Sequence, residues 1–490
     1  MPTLAPRPVV AVTGASGYVG GAFVDAFRDR FEIVGLSRGH RQTHADRGPA
    51  QWRKCDLYNP RLVEEALTGC DVALYLVHSM SPSARLTQAS FADLDLILAD
   101  NFARGAAKVG VKHILYVGGL LPDDQEGLSE HLASRKEVED ALGSHGVPVT
   151  ALRAGLVVGA GGSSFQLLQR LVARLPVMLC PAWTRTQTQP IALGDLLELL
   201  RVCIEDPQLQ GNVWDVGGPD TTTYFDMIRD VADLMGRRRL LMPVRWFSPG
   251  LSRLWVSLIT GFPRALVRPL IHSLEHRMVP RNRDLQERVG LAGTPWRQAA
   301  AAAIETPRPA PVPRLPTTTR AERRVARRKF RTKSTVRSVQ RLPLPAGADA
   351  TWVAQEYLRW LPRFMRPLLS TEREGLEVRI KFRFMRRPLL SLRFAPERSR
   401  PDRALFWVDG GLLAASPAQG RLEFRLAPNG RDLLAAIHEF VPRLPWFLYV
   451  VTQAIAHLFV MWRFGTHLRG ITPQPVGPAL ETYEPAAQTD

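Results

Sequence analysis

Three glycines at intervals of three, Gly14, Gly17 and Gly20, punctuate the stretch VVAVTGASGYVGGAF at residues 9–23. Glycine at the first position lets a chain turn sharply off a strand. At the second it lets the backbone approach a pyrophosphate, and at the third it lets the following helix pack closely. The spacing is G-x-x-G-x-x-G and not the G-x-G-x-x-G dinucleotide fingerprint, so the flanking elements carry the inference: an apolar strand before, a helix after, and a second strand over 31–36. The end of that second strand selects the dinucleotide. A carboxylate there would take a ribose 2′-hydroxyl and repel a 2′-phosphate, whereas a guanidinium grips the phosphate in a fork. The sequence offers Ser37, Arg38 and Arg41, with no carboxylate before Asp46. NADP(H) is therefore expected ahead of NAD. Asp56, in KCDLYNP, follows the third strand, where an acidic side chain can meet an adenine amino group. The expected dinucleotide contacts are Thr13, Gly14, Ser16, Gly17, Tyr18, Val19, Gly20, Ser37, Arg38, Asp56, Leu57 and Val77.

These residues need a scaffold, and residues 7–150 read as one. Short apolar runs (PVVAVT, FEIVGLS, DVALYLV, KHILYVGGL and then PVTALRAGLVVG) alternate with longer amphipathic stretches. That alternation predicts an α/β fold with a doubly wound parallel sheet. PIALGDLLELLRVCI reads as a helix, NVWDVGG as a short strand, and YFDMIRDVADLMG as a helix ending at Gly236. The nucleotide-binding domain is expected over 1–239. Residues 240–304 are expected to form an apolar helical cap, cut into short pieces by Pro243, Pro249, Pro263 and Pro269.

A Pro- and Arg-rich linker follows over 305–337. Between 320 and 333 it carries eight basic residues against the single Glu322. Beyond it the hydrophobic period changes to two, as in LEVRIKFRFM, where Val378, Ile380, Phe382 and Phe384 fall on one face and Arg379, Lys381 and Arg383 on the other. Two helices over 349–369 precede this meander, and an apolar helix over roughly 446–468 follows it. An α+β domain over 338–475, with an antiparallel sheet wrapping the last helix around an apolar pocket, is the expected arrangement, and 476–490 is expected to be a disordered tail.

At 490 residues, with 45% hydrophobic and 22% charged residues, the chain has material for several cores. The excess of 64 Lys and Arg over 46 Asp and Glu gives a net charge of +18 and favours anionic partners. Nucleic acid is the weaker candidate, because no helix-turn-helix, zinc pattern or aromatic-interleaved sheet accompanies the basic run. A solvated linker at 320–333, or a peripheral membrane contact through 240–280 and 320–333, fits better. The four cysteines show no metal-ligand spacing, so no metal is expected, and free thiols without a secretory leader point to the cytoplasm.

VTGASGYVG, KCDL and LRAGLVVGAG resemble the short-chain dehydrogenase/reductase superfamily, and in particular its atypical branch. The stretches PIALGDL, VWDVGGP and LSRLWVSLITGFPRALVRPLIHSL resemble bacterial members joined to a DUF2867-type region. The likeness is looser over 336–471, where it also suits a helix-grip domain. The resemblance implies a Rossmann fold, a bound NAD(P) and, in hydride-transferring members, a Tyr-x-x-x-Lys pair with a serine at the end of the preceding strand. Here that strand ends YVGGLLPDD, and the helix reads SEHLASRKEVEDAL, so the match to the four-residue spacing is His131-x-x-x-Arg135, with Lys136 adjacent. His131 can relay a proton near neutral pH. Equally, His131 can be a surface residue of a helix start and Arg135 a ribose or structural contact. Two functions stay open: an oxidoreductase acting on a hydrophobic carbonyl or enone, at a membrane surface or free of one, and a non-catalytic NADPH-binding protein whose second domain takes a lipid or a partner.

Overall fold

The computed structural model describes residues 7–39, 48–77, 86–122, 128–244, 275–306, 335–415 and 420–473. The chain divides into two compact units, Met1–Met80 with Asp95–Thr317, and Ser81–Leu94 with Thr318–Asp490.

The first unit is built on a seven-stranded sheet. Its strands are β1 (Val9–Thr13), β2 (Glu32–Ser37), β3 (Gln51–Lys54), β4 (Val72–Tyr75), β6 (His113–Gly119), β7 (Val149–Ala154) and β8 (Val213–Val216). β5 (Leu86–Gln88) lies between β4 and β6 in the chain and belongs to the other unit. The sheet order is β8-β7-β6-β4-β1-β2-β3, and every neighbouring pair is parallel. Such strands are covered on both faces, which is why Val72–Tyr75 is an unbroken apolar run and wholly buried. Helix α1 (Tyr18–Phe27) packs with α6 (Leu193–Glu205), while α2 (Pro60–Leu67) meets α3 (Phe91–Val109) so closely that a Cβ on Gly105 would lie 2.6 Å from Val63. α4 (Glu130–Gly143) packs on β6, and α5 (Ser163–Arg174) packs on α7 (Tyr224–Leu234). The doubly wound α/β reading holds.

Where 240–304 is described, it is an extension of the first unit. Residues 240–244 pair in parallel with 177–181, and α8 (Asp284–Arg288) and α9 (Trp296–Glu305) are part of the first unit. Trp296 is buried with Phe165 and Val231 and donates its indole N–H to Asp230 at 2.8 Å. Arg281 forks onto the buried Asp215 at 2.7 and 3.0 Å, and Gln286 donates to the Gly217 carbonyl at 2.6 Å. Indole and guanidinium donors anchored to carboxylates of α7 and β8 make this segment part of the core. Residues 245–274, and with them most of the expected membrane-contacting stretch, lie outside the described residues, as do the basic run 320–333 and the tail from 474 onward.

The second unit holds an eight-stranded sheet. Its strands in chain order are β5, β9 (Val336–Pro343), β10 (Leu369–Glu374), β11 (Glu377–Phe382), β12 (Leu390–Phe394), β13 (Arg403–Gly410), β14 (Arg421–Leu426) and β15 (Asp432–Phe440). The order is β10-β11-β12-β13-β14-β15-β9-β5, antiparallel except for the β9–β5 pair. One helix, α10 (Ala350–Phe364), stands where two were expected, and the chain then enters β10. The apolar C-terminal run is broken instead, into α11 (Trp446–Val451) and α12 (Gln453–Arg469) at Thr452. Between sheet and helices, in the place where a pocket was expected, rings interlock: Tyr357 meets Phe424 and Phe464 with centroids 5.5 and 5.1 Å apart, and Trp360 meets Phe464 at 5.2 Å. The other face of β14 is also buried. Glu423 accepts from Arg403 at 2.9 Å and Arg425 at 3.0 Å, and contacts His438 at 3.0 Å.

Candidate dinucleotide-binding site

In a parallel sheet all strands end on one edge, and the residues after β1, β2, β4 and β6 gather there. Thr13 closes β1 and is buried. Its hydroxyl donates to the Leu74 carbonyl at 3.2 Å and accepts from the Leu76 amide at 2.7 Å, which clamps the end of β1 to the end of β4. Gly14 then turns with φ +66°, the left-handed region that glycine tolerates. The turn closes when the Gly17 amide donates to the Gly14 carbonyl at 2.7 Å. Gly20 faces the same carbonyl, and a Cβ there would lie 2.4 Å from the Gly14 oxygen. α1 begins at Tyr18 with Gly17 as its N-cap and no side-chain cap. Its first amides, at Tyr18, Val19 and Gly20, therefore carry the partial positive charge of an open helix start. A tight turn with this uncapped helix start fits a dinucleotide pyrophosphate.

The remaining sequence-based candidates fall around this edge, with roles of different kinds. Ser16 is exposed in the turn. The Tyr18 ring packs away from it, so close to Gly159 and Gly162 that added Cβ atoms there would stand 2.5 and 3.0 Å from it, and burial raises its phenol pKa. Ser37 ends β2, its hydroxyl accepting from the Gly39 amide at 3.4 Å. Arg38 is exposed beside it and forms no ion pair among the described residues. Arg41 lies outside the described residues. Asp56 accepts from the Tyr58 amide at 3.2 Å, holding the turn ahead of α2, and Leu57 is buried. Val77 follows the β4 end that Thr13 clamps.

Where a catalytic pair would stand, the geometry is different. His131 occupies the first turn of α4 and is half-buried. Ser129 is the N-cap of that helix, accepting from Leu132 at 3.3 Å. The Tyr116 hydroxyl, buried with its pKa raised by desolvation, donates to the Arg135 carbonyl at 3.3 Å. Lys136 pairs with Asp140 one turn on. Gly119, at the end of β6, faces Leu132 and Arg135 with room for a Cβ, the nearest atoms being 3.6 and 3.8 Å away. The structure thus brings Gly119 and Arg135 together where β6 meets α4, with the Tyr116 phenol bound to the Arg135 carbonyl and Lys136 paired with Asp140. The Thr13 clamp and the Tyr18–Gly159–Gly162 contact were not foreseen. The run VVGAGG, with glycines at 159, 161 and 162, was the available signal for the second.

Comparison with known proteins agrees with this geometry. Residues 14–170 match a family described as NAD(P)H-binding. Over 143 residues the chain is 30% identical to the auxiliary protein GraX of Staphylococcus aureus, a match spanning 29% of this chain and 43% of that protein. It is 26% identical over 248 residues to sanguinarine reductase of Eschscholzia californica, covering 42% of this chain and 88% of the reductase. Among solved structures, the triphenylmethane reductase of Citrobacter sp. complexed with NADP(H) superposes with a TM-score of 0.48 at 18% identity, over 60% of this chain and 99% of that one. The first unit has the parallel, helix-flanked sheet of a Rossmann fold, and its residues 14–170 match an NAD(P)H-binding family.

Proposed function

We propose that the protein is an NADP(H)-dependent oxidoreductase acting in the cytoplasm on a hydrophobic carbonyl or enone. The observation that carries the reading is the edge formed by the Gly14–Gly20 turn and Arg38: an anion cradle, then an exposed guanidinium at the end of β2 with no carboxylate in Ser37–Gly39. The reductase relative matched over 88% of its length supports the reaction type. When bound, the reduced dinucleotide supplies a hydride. The chain's own part is to hold the pyrophosphate at the start of α1, to fork onto the 2′-phosphate through Arg38, and to carry a proton on the His131 imidazole for the developing alkoxide.

A second reading has its own observation. Tyr116 and Lys136 are committed to the Arg135 carbonyl and to Asp140, and glycines stand at 118 and 119, so the domain would bind the dinucleotide without turning it over. NADPH oxidation against a panel of apolar ketones, enones and quinones separates the two. The oxidoreductase reading expects turnover, and loss of 10²-fold or more in kcat for His131→Ala with NADPH affinity unchanged. Tight NADPH binding with no oxidation by any compound selects the second reading.

A further inference from the structure

We infer that the second unit docks on an anionic phospholipid surface through α11–α12 and the neighbouring β11–β12 turn. This inference does not rest on the oxidoreductase reading.

The apolar C-terminal helices use two faces. One is ordinary core: Ala454, Met461, Phe464 and Leu468 are buried against α10 and the sheet. The other is apolar and uncovered. Phe447, Val451, Ile455, Phe459 and Trp462 follow one another at intervals of three or four and are 70, 61, 57, 52 and 61% exposed. At the helical rise of 1.5 Å per residue this stripe is about 22 Å long. A helix apolar on all sides belongs in a core or at a lipid boundary. Only 22% of its most apolar window is buried in the protein.

The stripe continues onto other elements. Phe459 meets Phe364 with centroids 6.2 Å apart. Leu368, 44% exposed, follows in the same chain segment and accepts from the Arg383 amide at 3.0 Å. Beyond Arg383, Phe384 is 72% exposed because β11 ends at Phe382, on which its ring stacks at 5.3 Å.

Exposed basic residues flank the patch along the chain. Arg363, Arg366, Arg383, Arg386, Arg387 and Arg463 are all exposed. No Asp or Glu occurs between Glu356 and Glu372, between Glu377 and Glu397, or between Phe440 and Glu481. Arg463 lies 5.6 Å from the Phe364 ring and 5.8 Å from Trp462, a guanidinium at the rim of the aromatic surface. Aromatic rings flanked by arginines suit the boundary between acyl chains and anionic headgroups.

The test is co-sedimentation of the full chain with vesicles of phosphatidylcholine alone and of equal parts phosphatidylcholine and phosphatidylglycerol. The inference expects binding at least tenfold stronger to the anionic vesicles, weakened by salt. It expects at least tenfold loss for the combined exposed substitutions Phe447→Ser, Ile455→Ser and Trp462→Ser, and a comparable loss on anionic vesicles for Arg383→Glu with Arg386→Glu and Arg387→Glu. Unchanged thermal unfolding and NADPH binding in both variants excludes misfolding as the cause. Binding that neither variant weakens overturns the inference, as does absence of binding. Protein that survives alkaline carbonate extraction overturns it in favour of a spanning helix. A concentration-dependent dimer that the serine variant abolishes, without vesicle binding, assigns the face to a second copy instead.

Discussion

Gly20→Ala isolates the dinucleotide cradle from the rest of the fold. Its Cβ would stand 2.4 Å from the Gly14 oxygen, 2.8 Å from the Gly14 carbon and 3.1 Å from the Ala15 Cα, all backbone atoms that have no rotamer to yield. Ordinary contact begins near 3.4 Å, so α1 and the turn must separate by about 1 Å. Overpacking of this kind costs about 1–3 kcal/mol. The displaced part is the one that presents the amides of α1, so the strain is felt in binding as well as in folding. About 2 kcal/mol lost from binding corresponds to roughly 30-fold weaker NADPH affinity. Gly21→Ala is the matched control. The same methyl group there would lie 3.7 Å from the Ala15 oxygen, and alanine in a helix interior is favoured over glycine by about 1 kcal/mol. Calorimetric titration and thermal unfolding of both variants should show weaker binding and a lower midpoint for Gly20→Ala, and equal binding with an equal or higher midpoint for Gly21→Ala. Two variants that bind alike would refute the argument that close approach at Gly20 shapes the site.

Three further outcomes are expected. His438 and His113 are wholly buried, and desolvation lowers their pKa values from 6.5 to about 3 and about 4, the former aided by the nearby Arg421 guanidinium. Below pH 6.5 the unfolded chain takes up protons that the native protein refuses, so stability falls with pH by about 1 kcal/mol per unit for each group between pH 6 and 5. Glu423, whose pKa in the fold lies well below the usual carboxylate range, is mostly ionised in both states there and adds only a minor part of that slope, in the same direction. Urea unfolding at pH 6 and pH 5 should therefore show a smaller pH dependence in His438→Asn. Trp296→Ala, which removes a buried ring and its bond to Asp230, should cost the first unit about 3–5 kcal/mol and lower its thermal midpoint; an unchanged midpoint would contradict its place in the core. Arg38→Ala should weaken NADPH binding about tenfold or more and leave NADH nearly unaffected, because only the 2′-phosphate is lost as a partner.

The parallel sheet was readable because strands buried on both faces are apolar runs, and the glycine turn because its conformation admits little else. What escaped the sequence was of a different physical kind. β5 is three residues long, and its partner β9 lies some 250 positions further along the chain, a pairing no local pattern announces. The alternation in RLEFRL separates Leu422 and Phe424 from Arg421, Glu423 and Arg425, yet a period of two reads the same whether the charged face meets water or is buried, and here it is buried. Phe384 continued the apolar alternation of LEVRIKFRFM on paper, but the strand stops at Phe382 and leaves it in solvent. At the candidate site, the glycine turn was legible from residue type and spacing. The fate of His131, Arg135 and Lys136 was not, because it depends on which partner each side chain reaches across the α4–β6 packing.

The most direct test is calorimetric titration of the unmodified protein with NADPH and with NADH under the same salt conditions. A guanidinium at the end of β2 and an uncapped α1 require one equivalent of NADPH to bind at least tenfold more tightly than NADH. Equal or tighter uptake of NADH, or heat from neither dinucleotide, would contradict the account.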